Sequence, residues 1–214
     1  NPPLAIFLLS PIISSAYEQI LKETDFLNEL LVNGFNSENY LIIESCTSVT
    51  EAMNDFPQIL TQCFDPLFPV ILPLIVNDDP DVRLNGYKSL GSLFSSSDNA
   101  NDVSVITSLW SVKDSIHPDD YKSYLEVLGS AIASSETLDD GQVHEILQFI
   151  QPLLITSEES PNLTPLSSSA LFVIGQLVSH GEYAEIESII PSTFDAIKFG
   201  LKYKNEEVKV NALS

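Results

Sequence analysis

Basic residues are scarce in this chain of 214 residues, where nine lysines and arginines stand against 30 aspartates and glutamates. The formal net charge is -21 at pH 7, and Arg83 is the only arginine. Nucleic-acid binding needs lysine and arginine to neutralise phosphates, and anionic membranes attract basic segments. The composition therefore predicts that the chain binds neither nucleic acid nor membrane. It favours a protein partner with a basic surface or segment.

Cysteine is also scarce. Cys46 and Cys63 both lie in apolar, helix-like stretches, and their spacing matches no metal-binding pattern. We expect them to be small buried hydrophobic residues with free thiols, as in a protein of the cytoplasm or nucleus. A disulfide between neighbouring helices is the alternative.

Motifs that would indicate an enzyme are missing from the sequence. It has no glycine-rich phosphate loop, no Cys-x-x-Cys pair and no Gly-x-Ser-x-Gly turn. His144-Glu145 begins like the helix of a zinc protease, but Gln148 stands where the second histidine ligand would be. His117 and His180 fall elsewhere, near helix ends, which is typical of capping or surface histidines. We predict no catalytic, cofactor-binding or metal-binding residue, and an enzyme only if a further domain carries the activity.

The most informative stretch is FPVILPLIVNDDPDVRLNGYKSLGSLF, from Phe68 to Phe94. It reads as an apolar helix with prolines, a short acidic turn, and a second, amphipathic helix. Such a unit cannot bury its own apolar face and must stack on copies of itself. The run DVRLNG that begins at Asp81 has a counterpart, EVKVNA, beginning at Glu207, 126 residues or three times 42 further on.

Three glycines support a spacing near 42 residues. Gly91, Gly129 and Gly175 each follow an aliphatic residue in an apolar helix, at steps of 38 and 46 residues. Because glycine inside a helix costs about 1 kcal/mol relative to alanine, we expect each to allow the close approach of a neighbouring helix. They would then occupy equivalent places on the second helices of successive units. Unrelated glycines in an ordinary helical bundle are the alternative.

The segment Asp79-Pro80-Asp81-Val82-Arg83 resembles the acidic turn and second-helix start of a HEAT repeat. Residues 205–209 match it with lysine in place of arginine, residues 117–122 keep the acids and a base, and residues 161–166 keep neither. The resemblance implies an all-α fold, a right-handed α-solenoid of about five HEAT-like two-helix repeats. No stretch shows the alternation typical of strands.

Within this superfamily, LNGYKSLGSL at residues 84–93 and the run from Ala170 to Lys202 are similar to importin-β-type nuclear transport receptors. We expect residues 1–214 to form a single HEAT/armadillo-like repeat domain. The sequence does not begin with methionine, and Ser214 falls inside an expected helix, so the domain is predicted to be a fragment of a longer solenoid.

Acidic residues recur at the expected turn within each repeat. Stacking would align them as acidic ridges that steer a basic ligand, and the alternative role is solvation of the repeat array. The predicted partner-binding residues are Asp78, Asp79, Asp81, Asp119, Asp120, Glu158, Glu159, Glu206 and Glu207.

The sequence therefore predicts a non-catalytic protein-interaction scaffold without a cofactor, in the cytoplasm, the nucleus or both. The importin-β-like resemblance implies basic cargo signals and a small GTPase of the Ran type as partners. The alternative is a HEAT-repeat assembly chaperone or scaffold, for example for proteasomal ATPase subunits. These alternatives remain open on the sequence alone.

Overall fold

A computed structural model describes residues 2–96, 103–135, 138–154, 164–180, 191 and 193–198. These residues are predominantly helical and contain no strand, which confirms the all-α class. The chain divides into two compact units. The first comprises Asn1–Asn101 and Ser108–Ile116, and the second Asp102–Thr107 and His117–Ser214.

The first unit contains seven complete helices among its described residues. They are α1 (Pro2–Phe7), α2 (Leu9–Ser15), α3 (Tyr17–Lys22), α4 (Thr24–Phe35), α5 (Tyr40–Ala52), α6 (Pro57–Ile71) and α7 (Pro80–Ser96). Short 3₁₀ segments follow α5 and α6, at Met53–Asp55 and Leu72–Val76.

In the first unit, α5 packs against α7 and α4 packs against α6, in each case the helix two places further along the chain. Helix α5 also packs against the short helices α1 and α2. Sequential partners also meet, α4 with α5 and α6 with α7. The result is two layers, with the core between them filled by residues such as Leu31, Val49, Leu67 and Leu90, all fully buried.

The second unit repeats this pattern of packing. Helix α8 (Val103–Ser111) begins in the second unit and ends in the first. The 3₁₀ segment that follows α8, Lys113–Ser115, also belongs to the first unit. The second unit continues with a 3₁₀ segment at Pro118–Asp120, α9 (Tyr121–Ser134), α10 (Asp140–Ile150), a 3₁₀ segment at Gln151–Leu153, and α11 (Thr164–His180). Helix α9 packs against α11, two elements further along the chain, and α10 also contacts α11.

Several side-chain hydrogen bonds between helices have sequence separations close to the spacing of 42 residues read from the sequence. In the first unit, Ser89 Oγ donates to Thr47 Oγ1 at 3.0 Å across 42 residues, and Ser10 Oγ donates to the Ser48 carbonyl across 38. In the second unit, Ser169 Oγ donates to Glu126 Oε1 across 43 residues. The helices that stack directly are therefore about one sequence spacing apart.

Helix α6 contains three prolines, one at its start and two inside it. Pro57 occupies the first turn, where the missing N–H has no partner to lose. Pro66 and Pro69 lie inside the helix, and the chain changes to a 3₁₀ segment at Leu72–Val76, which contains Pro73. By length and composition alone Pro57–Val76 could cross a membrane, but half of that window is buried within the protein, as in a core helix.

The prediction for the glycines is confirmed at one position and wrong at two. A Cβ atom at Gly129 would lie 2.5 Å from Cε1 of Phe172 on α11, so this glycine does allow a close approach. No described atom lies within 4 Å of the Cβ position at Gly91 or Gly175. At Gly91 the prediction places the glycine on the wrong face of α7. The buried positions of this helix include Gly86, Leu90 and Leu93, and Gly91 lies on the opposite face.

The close approaches in the first unit occur at other glycines. A Cβ at Gly86 would lie 2.9 Å from Cβ of Leu74, where α7 meets the 3₁₀ segment after α6. A Cβ at Gly34 would overlap the Cys46 sulfur. Gly34 lies inside α4 and lets α5 approach, although glycine at such a place in a sequence often marks the end of a helix.

Candidate functional site

The acidic turn before α7 holds three of the predicted partner-binding residues. Asp78, Asp79 and Asp81 are all exposed, and one turn brings them together. Asp79 has a structural role as well, because its Oδ1 accepts a hydrogen bond from the Asp81 backbone N–H at 2.9 Å. An aspartate that binds the second N–H of a helix in this way is an N-cap. Asp78 and Asp81 are thus the acids of this turn best suited to contact a partner.

Arg83 organises the same turn from the inside. Its side chain is buried, and Nη1 donates to the carbonyl oxygens of Asn77 at 3.0 Å and Asp78 at 3.1 Å. Asn77 in turn accepts from the Asp79 backbone N–H through its side chain at 2.9 Å. The chain's single arginine therefore contributes to the fold of the turn and leaves the carboxylates of Asp78 and Asp81 facing solvent.

The turn before α9, in the second unit, holds two more predicted residues. Asp119 is exposed and Asp120 is half-buried. His117 caps this turn, since its Nδ1 accepts from the Asp119 backbone N–H at 3.3 Å, and the same nitrogen lies 3.6 Å from Asp119 Oδ2. The expectation that His117 is a capping or surface residue agrees with this geometry.

The remaining predicted residues, Glu158, Glu159, Glu206 and Glu207, lie outside the described residues. The structure thus brings the acids together in two groups, three on the turn before α7 and two on the turn before α9. Alignment of all nine into continuous ridges stays a prediction.

Another acidic turn shows how often these residues serve the fold. Asp139 caps α10, accepting from the Gln142 backbone N–H at 2.8 Å, while the Asp139 N–H donates to Gln142 Oε1 at 3.4 Å. This reciprocal pair is a capping box. Acids at turns therefore divide into those that cap helices, such as Asp79 and Asp139, and those whose charge faces solvent.

Sequence reasoning missed two exposed leucines beside the acidic turn. Leu41 on α5 is 53% exposed and Leu84 on α7 is 49% exposed. Next to Leu41, burial and then the nearby Glu44 carboxylate raise the pKa of Tyr40. The signal available in the sequence was that both leucines fall outside the apolar row of their amphipathic helix.

The two cysteines have no reactive or metal-binding character. Both are fully buried and free. Burial raises the pKa of each thiol to about 12, so both remain protonated and poorly nucleophilic at neutral pH. Within the described part of the chain, no group of three or more histidine, cysteine, aspartate or glutamate side chains could hold a metal ion.

The fold and this site identify the chain only as an all-helical protein with acidic turns. No protein-family model and no curated protein matches the chain. Two crystal structures of engineered proteins from the Northeast Structural Genomics Consortium are similar to it. One has a TM-score of 0.63 and a sequence identity of 14%, and the match covers 98% of this chain and 94% of the engineered protein. The other has a TM-score of 0.62 and a sequence identity of 15%, and the match covers 99% of this chain and 88% of that engineered protein. At such identities the likeness concerns the fold alone.

Proposed function

We propose that this chain is a non-catalytic scaffold that binds a basic protein partner through its acidic turns. In this proposal residues 1–214 form a single right-handed α-solenoid domain of about five HEAT-like two-helix repeats. Support comes from helices that pack two elements apart in each unit, and from hydrogen bonds between stacked helices at separations near 42 residues. A period of about 40 residues with two helices is the HEAT and armadillo range.

One observation carries the choice of a basic partner. On the turn before α7 the carboxylates of Asp78 and Asp81 face solvent, while the neighbouring guanidinium of Arg83 is buried and bound to backbone carbonyls. Negative charge is thus presented on a hydrogen-bonded turn, on a chain with a net charge of -21. Such a surface attracts basic segments over distances up to the Debye length, about 10 Å at 0.1 M salt.

The particular kind of scaffold is proposed from the sequence resemblance. In its importin-β-like form the scaffold would carry proteins with basic signals between cytoplasm and nucleus and bind a Ran-type GTPase. As an assembly chaperone it would instead hold subunits of a larger complex, for example proteasomal ATPases. The partners recovered in the following experiment separate the two forms.

The experiment uses charge reversal at exposed acids that do not cap a helix. The variant Asp78→Lys/Asp81→Lys/Asp119→Lys changes the charge at both turns and leaves the Asp79 cap intact. Immobilised protein is incubated with nuclear and cytosolic extract at two salt concentrations, and bound proteins are quantified. We expect partners of the unaltered protein to be lost at high salt and from the variant, because exposed charges are screened by salt.

A matched control reverses the same number of charges away from the turns. Glu18→Lys/Glu29→Lys/Asp65→Lys alters exposed acids on α3, α4 and α6. This control is expected to keep the partners that the turn variant loses. Equal recovery with all three proteins at both salt concentrations would contradict the proposal and leave solvation as the role of the acids.

A further inference from the structure

The outer side of α5 and α7 combines two exposed leucines at neighbouring places. An isolated exposed leucine is ordinary on a protein surface. Leu41 and Leu84, however, lie on two helices that pack against each other, and Thr47 Oγ1 of α5 lies 3.5 Å from the carbonyl oxygen of Asn85, the residue after Leu84. The two leucines therefore lie near the beginnings of adjacent helices, on the side away from α4 and α6.

Acidic residues surround these leucines. Glu44 and Glu51 are exposed on α5, and Asp81 is exposed on α7. Glu44 lies three residues after Leu41 on α5, and Asp81 lies three residues before Leu84 on α7, so each acid is a neighbour of a leucine on the same helix face. Among the described positions on this side of α7, Lys88 supplies the basic charge. The surface is thus apolar at its centre and predominantly negative around it.

Gly91 lies on the same side of α7, two turns after Leu84 and one turn after Lys88. No described atom comes within 4 Å of the place its Cβ would take. Glycine lowers the stability of a helix, and it is favoured where another backbone must come close. Because no neighbour within the described chain makes that approach, the open place at Gly91 fits an external one.

We propose that the α5–α7 face, formed by Leu41, Glu44, Asp81, Leu84 and Gly91, binds an amphipathic helical segment of the basic partner. Packed helices lie about 8–10 Å apart, and seven residues of an α-helix rise about 10.5 Å. Two apolar residues seven positions apart would then rest on Leu41 and Leu84, with lysines or arginines beside Glu44 and Asp81. This inference rests on the proposed function and names the form of its ligand.

The probe is a synthetic peptide of about 18 residues, two or three heptads long, made of lysine, alanine and two leucines seven positions apart. One control peptide has the same composition with the leucines adjacent, and another has glutamate in place of lysine. Binding is measured by fluorescence anisotropy. We expect the first peptide to bind most tightly, and Leu41→Ser/Leu84→Ser to weaken it about tenfold or more through lost apolar contact.

Two further variants separate docking from general stickiness and from unfolding. Phe26→Ser removes an aromatic residue that is 65% exposed on α4, in the other layer, and should leave peptide binding unchanged. Gly91→Gln fills the open place on the α5–α7 face and should weaken binding while circular dichroism shows the same helix content.

The outcomes distinguish this inference from the proposed function. If both lysine peptides bind equally, and binding ignores Leu41→Ser/Leu84→Ser, the docking face is wrong while binding of a basic ligand stands. If no lysine peptide binds, the docking face is also wrong, and the extract experiment decides the proposed function separately.

Discussion

The α5–α7 contact of the first unit and the α9–α11 contact of the second each include a side-chain hydrogen bond at almost the same sequence separation, but different side chains fill the rest of the contact. Between α5 and α7 the buried hydroxyls of Thr47, Thr50 and Ser89 form hydrogen bonds, 3.0 Å from Ser89 to Thr47 and 3.4 Å from Thr50 to Ser89. Between α9 and α11 the ring of Phe172 fills the space that glycine leaves at Gly129. Sequence spacing thus selects which helices meet, and local side chains decide how they are held.

The two kinds of contact respond differently to substitution. A buried hydroxyl network depends on partners, since a polar group left without one costs about 1–3 kcal/mol. An aromatic ring against a glycine depends on volume, since an added side chain must displace the ring. Substitutions at these contacts therefore test whether hydrogen-bond partners or side-chain volume hold each pair of helices together.

Gly129→Leu should lower the free energy of unfolding by about 1–3 kcal/mol through overpacking against Phe172. Chemical denaturation followed by circular dichroism measures the change. Gly175→Leu is the matched control, because it makes the same substitution in the same unit at a glycine with open space at its Cβ position. Equal stability of the two variants would show that Phe172 can pack against α9 without a glycine at position 129.

The turns before α7 and α9 extend the comparison, since an aspartate caps the first and a histidine the second. Asp79→Ala should cost about 1 kcal/mol of stability by removing the N-cap of α7. Asp78→Ala, on the same turn, should change stability by less than about 0.5 kcal/mol. Thermal melting at neutral pH compares them, and a larger loss for Asp78→Ala would contradict the assignment of the cap.

Ser89→Ala should lower stability by about 0.5–1.5 kcal/mol, because Thr47 and Thr50 lose a buried partner between α5 and α7. Ser48→Ala should cost less, because the hydroxyl of this half-buried serine of α5 donates to the Glu44 carbonyl of the same helix. Denaturation midpoints of the two variants decide the matter. A neutral effect of Ser89→Ala would mean that packing, rather than the hydroxyl network, holds these helices together.

The sequence predicts the helical class well because apolar residues recur with helical periodicity along much of the chain. It also predicts the buried cysteines, the acidic turn and the close approach at Gly129. It fails at Gly91 and Gly175, because the distance between glycines along the chain does not say which side of the helix each one faces. A shift of one residue turns a side chain by about 100°, from 3.6 residues per turn.

Other features depend on contacts between distant residues and carry little local signal. Thr47, Thr50 and Ser89 look like surface residues in composition, and only their pairing across α5 and α7 makes burial tolerable. The different roles of the acidic residues also depend on contacts that the local sequence does not show. Asp79 and Asp78 are adjacent and chemically identical, and only backbone geometry makes the first a cap.

Direct stacking of helices about 42 residues apart underlies both the repeat proposal and the α5–α7 face. Thr47→Cys/Ser89→Cys tests it, in a protein with Cys46→Ala and Cys63→Ala so that no other thiol reacts. The hydroxyl oxygens of Thr47 and Ser89 are 3.0 Å apart, a separation compatible with the geometry of a disulfide. The control pair is Thr47→Cys/Ser95→Cys, since Ser95 lies further along α7 and bonds to Asn54.

Mild oxidation followed by mass spectrometry of proteolytic peptides is the measurement. Rapid, nearly complete cross-linking of residues 47 and 89, with unchanged helix content and little cross-linking of the control pair, is the predicted result. Free thiols at residues 47 and 89 after oxidation, or equal cross-linking of both pairs, would contradict direct stacking of α5 on α7.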